Sequence, residues 1–287
     1  MTDRSTGCSY DVNDPGKIQG RDEIRPGVQN LASIRLDRAL HALRDVRGSI
    51  LLPGAGAGRY ARALARARPD LTIVGGDISG VATHEAVAAG GGPAYLVLDA
   101  EAIPLRASTF GAVVFFDLLE HVPYPPRMLA ESFRVLCPGG VLHFFVPLED
   151  QPRTLYRALR RDRPIPIHRW KRDHVGHVQR FDRDAVAALV TRAGFTVVDK
   201  AHSFHIVGQT HDIVDYWQRE REGGGRGRLP VAAVRLIARG VFVVTWRLSY
   251  LEDRVLRGPA FASGLHLTAR KPAENTPAQS SRPEQTR

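Results

Sequence analysis

A chain of 287 residues, 43% of them hydrophobic, can bury a substantial core, and one large domain with extensions fits that length better than two independent ones. Its two cysteines, Cys8 and Cys137, exclude a disulfide framework or a thiolate zinc cluster and fit a reducing, cytoplasmic setting. The formal net charge of +10 rests on scattered arginines, denser at 153–172 and 219–257, with no nucleic-acid-binding module beside them; a solvated basic surface is expected and nucleic acid is not favoured.

Residues 1–28 are polar, carry Asp-Pro-Gly and Arg-Pro-Gly turn signals and lack the apolar core of a secretory signal, which predicts a flexible arm or lid. The main domain is expected over 29–271. It opens with Leu31, Ile34, Leu36, Leu40 and Leu43 near helical spacing, so a helix precedes the first strand. The run 49–52 then reads as a buried strand and 59–67 as a helix. Between them lie Gly54, Gly56 and Gly58 at alternate positions, where the absent Cβ atoms let a nucleotide-like ligand approach the backbone.

Further apolar runs at 71–75, 95–98, 112–116, 141–146, 195–198 and 265–269 alternate with helical segments. This pattern predicts an α/β, Rossmann-like, doubly wound and mostly parallel seven-stranded sheet with helices on both faces. Asp182 caps an expected helix through 193. A helical insertion at about 208–258 precedes the last strand and is divided by Gly223-Gly224-Gly225-Arg226-Gly227. Its second half is apolar but broken by Arg235, Arg239 and Arg247; its longest uncharged part, 240–246, is too short to span a bilayer. A helix packed over the active site is expected, with contact to a membrane surface or a lipid-like substrate as the alternative. Residues 272–287, without a large apolar side chain, predict a disordered tail.

Asp77 ends the second strand, about twenty positions beyond the glycines, where an acid can accept hydrogen bonds from ribose hydroxyls; a plain helix cap near Ser79 is the alternative. Asp99 ends the third strand, placed to accept from an adenine amino group with the Ala100 N–H facing the ring, or simply to form a turn. Then follow Phe-Phe-Asp-Leu-Leu-Glu-His-Val at 115–122 and Arg-Val-Leu-Cys-Pro-Gly-Gly at 134–140. In this order and spacing the motifs resemble the class I S-adenosylmethionine-dependent methyltransferases, especially the broad type 11 group, over about 49–146, with a weaker echo at 176–181 and 193–195.

The resemblance implies S-adenosyl-L-methionine as cofactor. Gly54, Ala55, Gly56 and Gly58 are then expected at its methionine part, Asp77 and Ile78 at the ribose, Asp99 and Ala100 at the adenine, and Asp117 and Leu118 near the substrate entrance. Glu120 is expected to be structural. One departure stands out, because the family's acid two positions before the first glycine is replaced by Leu52, followed by Pro53. The implied reaction is in-line methyl transfer, and Tyr216, Trp217, Phe242 and Trp246 favour a small hydrophobic or amphipathic acceptor.

His121 is the candidate general base. His168, His174 and His177 form a second group beside Trp170 and Lys171; their spacing matches no compact zinc motif, so substrate contact or a solvated loop is expected, with His174 and His177 as secondary base candidates, and no metal. Two rival readings remain. A nicotinamide-dependent dehydrogenase fits Gly56-Ala57-Gly58-Arg59-Tyr60-Ala61 but leaves the two downstream motifs unexplained, and a non-methylating S-adenosylmethionine-binding protein fits the change at Leu52.

Overall fold

Helices and strands alternate along the chain as the apolar runs predict. The computed structural model describes residues 11–15, 17–24, 30–225, 227–256 and 258–273. The remainder of the predicted arm and tail lies outside the described residues. The elements run α1 (Leu31–Ala42), β1 (Ser49–Pro53), α2 (Arg59–Ala67), β2 (Thr72–Asp77), α3 (Gly80–Ala89), β3 (Ala94–Val97) and β4 (Phe110–Phe116). A 3-10 turn (Leu119–His121) leads to α4 (Pro125–Val135), β5 (Leu136–Pro147), α5 (Leu155–Ala158), α6 (Ile167–Val175) and α7 (Arg183–Arg192). The chain continues with β6 (Thr196–Ser203), α8 (Ile206–Glu222), α9 (Val231–Val255) and β7 (Gly264–Arg270).

The seven strands form one sheet in the order β3-β2-β1-β4-β5-β7-β6. The pairs from β3 to β5 are parallel, whereas β7 lies antiparallel to both β5 and β6. Strand β4 is buried on both faces, as a central parallel strand must be. Val113 and Phe115 join one core with Phe144, Met128 and Val186, while Ala112, Val114 and Phe116 join the other with Ile50, Leu64 and Leu43. Alternation with a period of two thus serves two cores at once. Phe115 and Phe144 stack across β4 and β5 with centroids 4.7 Å apart.

Chain order reverses between β1 and β4, and a doubly wound sheet opens its ligand crevice at such a point, beyond the strand ends. Two features keep this end open. Gly54, Gly56 and Gly58 take φ values of 69°, 55° and 89°, conformations closed to most side chains, which turns the chain from β1 into α2. Gly76 lets β2 pass close to its neighbour, since a Cβ there would lie 2.2 Å from Leu98 Cδ2. Helices α8 and α9 pack on each other between β6 and β7. Among the described residues, no helix is long and apolar enough to cross a membrane.

Candidate active site

A cavity of about 480 Å³ opens at the crevice between β1 and β4. Gly54, Ala55, Gly56, Asp77, Ile78, Asp117, Leu118 and His121 all line it. Asp77 is fixed at the end of β2 by two backbone donors, Gly56 N–H to Oδ2 at 2.8 Å and Ser79 N–H to Oδ1 at 2.9 Å. One carboxylate thereby ties the glycine loop to the start of α3. Ser79, not Asp77, caps that helix, its hydroxyl accepting from Ala82 N–H.

Gly58, Ala100 and Asp99 do not line the cavity. Gly58 opens α2 in a left-handed conformation, and a Cβ there would meet the Tyr95 hydroxyl at 2.5 Å. Asp99 makes a turn, its Oδ1 accepting from Glu101 N–H at 2.8 Å, and the Ala100 side is packed into the core. The buried Leu52 and Pro53 leave the sheet end without the acid usual at that position.

Residues 11–15 and 17–24 run across the glycine loop. Gln19 C=O accepts from Ala57 N–H at 2.9 Å, and Ile18 packs on Ala57 and Ala82. Any Cβ on Gly56 would lie 2.6 Å from that same Gln19 oxygen. Arg21 pairs with Glu85, Asp22 with Arg59, and Glu23 with both Arg62 and Arg66. Val12, Lys17, Ile18, Gln19 and Gly20 therefore form part of the cavity wall.

Other walls come from residues that the motifs did not reveal. Arg35, on α1, reaches Asp117 at 2.5 Å while its guanidinium covers the Phe145 ring at 3.9 Å. Burial opposes the charge on Arg35, yet Asp117 raises its pKa. Asp117 has a φ of 48°, a left-handed conformation that Asp tolerates better than most residues. Lys171, on α6, is buried with its ammonium 3.1 Å from Asp212 and 3.6 Å from Glu149. Burial lowers its pKa, but the two carboxylates more than reverse this and keep it charged. Phe204, Tyr216 and Asp215 complete the far wall.

The three histidines read as one group separate into two. His168 and His177 both bind Glu149 through Nδ1, at 2.8 and 2.5 Å, while His174 pairs with Glu220 at 3.1 Å. Burial raises the pKa of Glu149, but Lys171 and the two imidazole hydrogen bonds hold it well below the usual carboxylate range. His177 is brought to His121 because Gly176 ends α6 in a left-handed conformation, after which Val178 and Gln179 N–H both bind the Glu120 carbonyl. The two rings meet edge to face with centroids 4.8 Å apart. Burial, aided by His177, pushes the His121 pKa down to about 3, which leaves a neutral imidazole.

The comparisons with known proteins agree with this architecture. A methyltransferase-domain family profile matches residues 51–144. Ubiquinone/menaquinone biosynthesis C-methyltransferase UbiE of Desulfotalea psychrophila is 39% identical over 95 residues, which make up 32% of this chain and 39% of that protein. The match therefore spans about two fifths of the relative's length. Among solved structures, the [4+2]-cyclase SpnF is similar with a TM-score of 0.56 and 21% identity over 89% of this chain and 84% of its own. Haemonchus contortus phosphoethanolamine N-methyltransferase 2 gives a TM-score of 0.53 at 17% identity over 82% of this chain and 52% of its own. At these identities the two structures speak for the fold alone. The family match lies on β1 through β5, around the glycine loop and Asp77, so this part of the chain is similar to methyltransferase domains.

Proposed function

We propose that this protein is an S-adenosylmethionine-dependent methyltransferase acting on a small hydrophobic or amphipathic acceptor. The observation that carries the reading is a single cavity that joins the glycine loop and Asp77 at one end to Phe204 and Tyr216 at the other. Its volume of about 480 Å³ lies in the range of small-molecule sites. The residues present fit the cofactor, because Gly54 and Gly56 line the cavity with backbone free of a Cβ and Asp77 lines it beside them. When bound, S-adenosylmethionine supplies a methyl group already activated by the sulfonium charge.

The chain's own task is then to bind and orient. Asp77 accepts the ribose hydroxyls, with Ile78 beside it, while Asp99 and Ala100, outside the cavity wall, serve the adenine end by shaping the turn after β3. Gly54, Ala55, Gly56 and Gly58 shape the turn at the amino-acid end, and Asp117, held by Arg35, stands with Leu118 at the acceptor entrance. Holding the acceptor in line with the methyl group supplies much of the rate. His121 keeps a neutral ring at the cavity wall, and its low basicity makes it a weaker proton acceptor than an ordinary histidine. Residues 11–15 and 17–24 act as a lid over the bound cofactor.

Helix α9 gives the acceptor reading a finer form. Leu236, Val243 and Val255 are 74%, 72% and 78% exposed on a helix that also carries Arg235, Arg239 and Arg247. A second opening of about 860 Å³, lined by Phe242, Trp246, Arg239 and Arg247 among others, lies between α8 and α9. Apolar side chains among arginines suit a lipid-like acceptor or the surface of an anionic membrane.

Transfer of labelled methyl groups to a panel of lipid-like, phenolic, protein and nucleic-acid acceptors tests the reading. Label is expected in a small apolar acceptor and lost in Asp77→Ala. Label confined to protein or nucleic acid overturns the acceptor class. The buried Leu52 at the position of the usual acid favours a second reading, a cofactor-binding protein that does not methylate, and binding without label in any acceptor would support it.

A further inference from the structure

Behind His121 and His177 in the cavity wall lies the buried carboxylate of Glu120, so that three potential metal ligands stand together. The Glu120 side chain is 1% exposed, and neither of its carboxylate oxygens has a hydrogen-bond partner. Its Oε1 lies 3.8 Å from His121 Nε2 and 3.8 Å from His177 Nε2, too far for a hydrogen bond to either. One ligand atom from each of the three residues can be chosen so that all lie within 4.8 Å of one another. Both imidazoles have a partner on the opposite nitrogen, His121 Nδ1 at 3.2 Å from the Gly176 carbonyl and His177 Nδ1 at 2.5 Å from Glu149. With Nδ1–H donating to those acceptors, each Nε2 keeps a free lone pair, 3.8 Å from Glu120 Oε1.

We propose that Glu120, His121 and His177 form a binding site for a divalent transition-metal ion of the zinc class. With metal–nitrogen and metal–oxygen bonds of about 2.0–2.2 Å, tetrahedral ligand atoms stand about 3.3–3.6 Å apart, so the two 3.8 Å separations, in a set whose atoms all lie within 4.8 Å of one another, call for a small inward movement on binding. Two imidazoles and one carboxylate form a donor set suited to zinc, iron, cobalt or nickel rather than to magnesium or calcium. Glu149 and the Gly176 carbonyl take the part of outer partners that fix imidazole orientation in metal sites. An ion here offsets the cost of holding a carboxylate charge at the buried Glu120.

Three protein ligands leave coordination positions free, and His121 and His177 both line the cavity. A hydroxyl, carboxylate or enolate oxygen of the acceptor is the class of ligand those positions take. That role rests on the function proposed above, whereas ion binding itself does not.

The test uses the full-length protein, stripped with chelator and titrated with Zn²⁺ by calorimetry and with Co²⁺ by visible absorption. One equivalent of each is expected to bind. His121→Ala and His177→Ala should each weaken binding by at least about tenfold, since even outer partners of metal ligands contribute about 10–100-fold. His174→Ala, which alters an imidazole held by Glu220, should bind as the parent does. Absence of a stoichiometric ion from the folded parent protein overturns the proposal, as does undiminished binding in both folded histidine variants. The parent titration decides the matter if those variants do not fold. S-adenosylhomocysteine binding without metal binding would refute this site while leaving the cofactor reading intact.

Discussion

Glu23 is the residue whose loss should most specifically loosen the segment that crosses the glycine loop. It binds Arg62 Nε at 2.5 Å and Arg66 at 2.7 Å, and the Arg62 side chain is only 4% exposed. Breaking a fully buried ion pair costs about 3–5 kcal/mol, whereas an exposed one contributes about 0–1. Glu23 itself is 42% exposed, so solvent screening brings the expected cost of Glu23→Gln down to about 1–2 kcal/mol. Arg62 also donates to Ala57 C=O, which limits the loss further. A cost of that size raises the population with the segment detached by about five- to thirtyfold. The assay is native-state hydrogen exchange at Ala57 N–H, which donates to Gln19 C=O in the closed arrangement. Its protection should fall by that factor in Glu23→Gln while amides of the buried β4 strand keep theirs. Unchanged protection at Ala57, or an equal loss throughout β4, would refute the reasoning.

Asp77→Ala removes the acceptor for Gly56 and Ser79 N–H as well as the proposed ribose contact, and should weaken S-adenosylhomocysteine binding by about 100-fold, measured by calorimetry. His205 and Asp253 are buried together at 2.7 Å. Burial opposes the charge on His205, but the Asp253 hydrogen bond and the Gly258 carbonyl raise its pKa above the ordinary value. The pair's contribution is therefore complete below about pH 6.5 and is lost as pH rises through the folded pKa. Denaturant unfolding from pH 6 to pH 9 should show that decline, and Asp253→Asn should reduce it while costing about 3 kcal/mol at pH 6. Phe144→Ala, at a fully buried position stacked on Phe115, should cost about 3–5 kcal/mol in the same unfolding assay.

Much of the fold was legible because its signals are local. Every predicted strand lies within or beside an observed one, and Asp182 caps α7 through Asp184 and Ala185 N–H as its position suggested. Glycines and strand-end acids are also local features, so Gly54, Gly56 and Asp77 could be placed in one crevice from spacing, and Asp117 joined them through the family resemblance. Other features depend on contacts between distant residues. Nothing in the run 264–270 tells that it enters antiparallel between β5 and β6. Arg35 reads as an ordinary helical arginine until α1 packs beside Asp117, 82 positions away. The histidines at 168, 174 and 177 look like one group in sequence, yet helix α6 and the turn at Gly176 send two to Glu149 and one to Glu220. Glu120 looked structural because the sequence cannot show that both of its oxygens are buried without partners.

The most direct test of the central claim is a calorimetric titration of the full-length chain with S-adenosylhomocysteine, and separately with NAD. Saturable one-to-one binding of the adenosyl ligand is expected, and none of NAD. Tight NAD binding with no response to S-adenosylhomocysteine would contradict it.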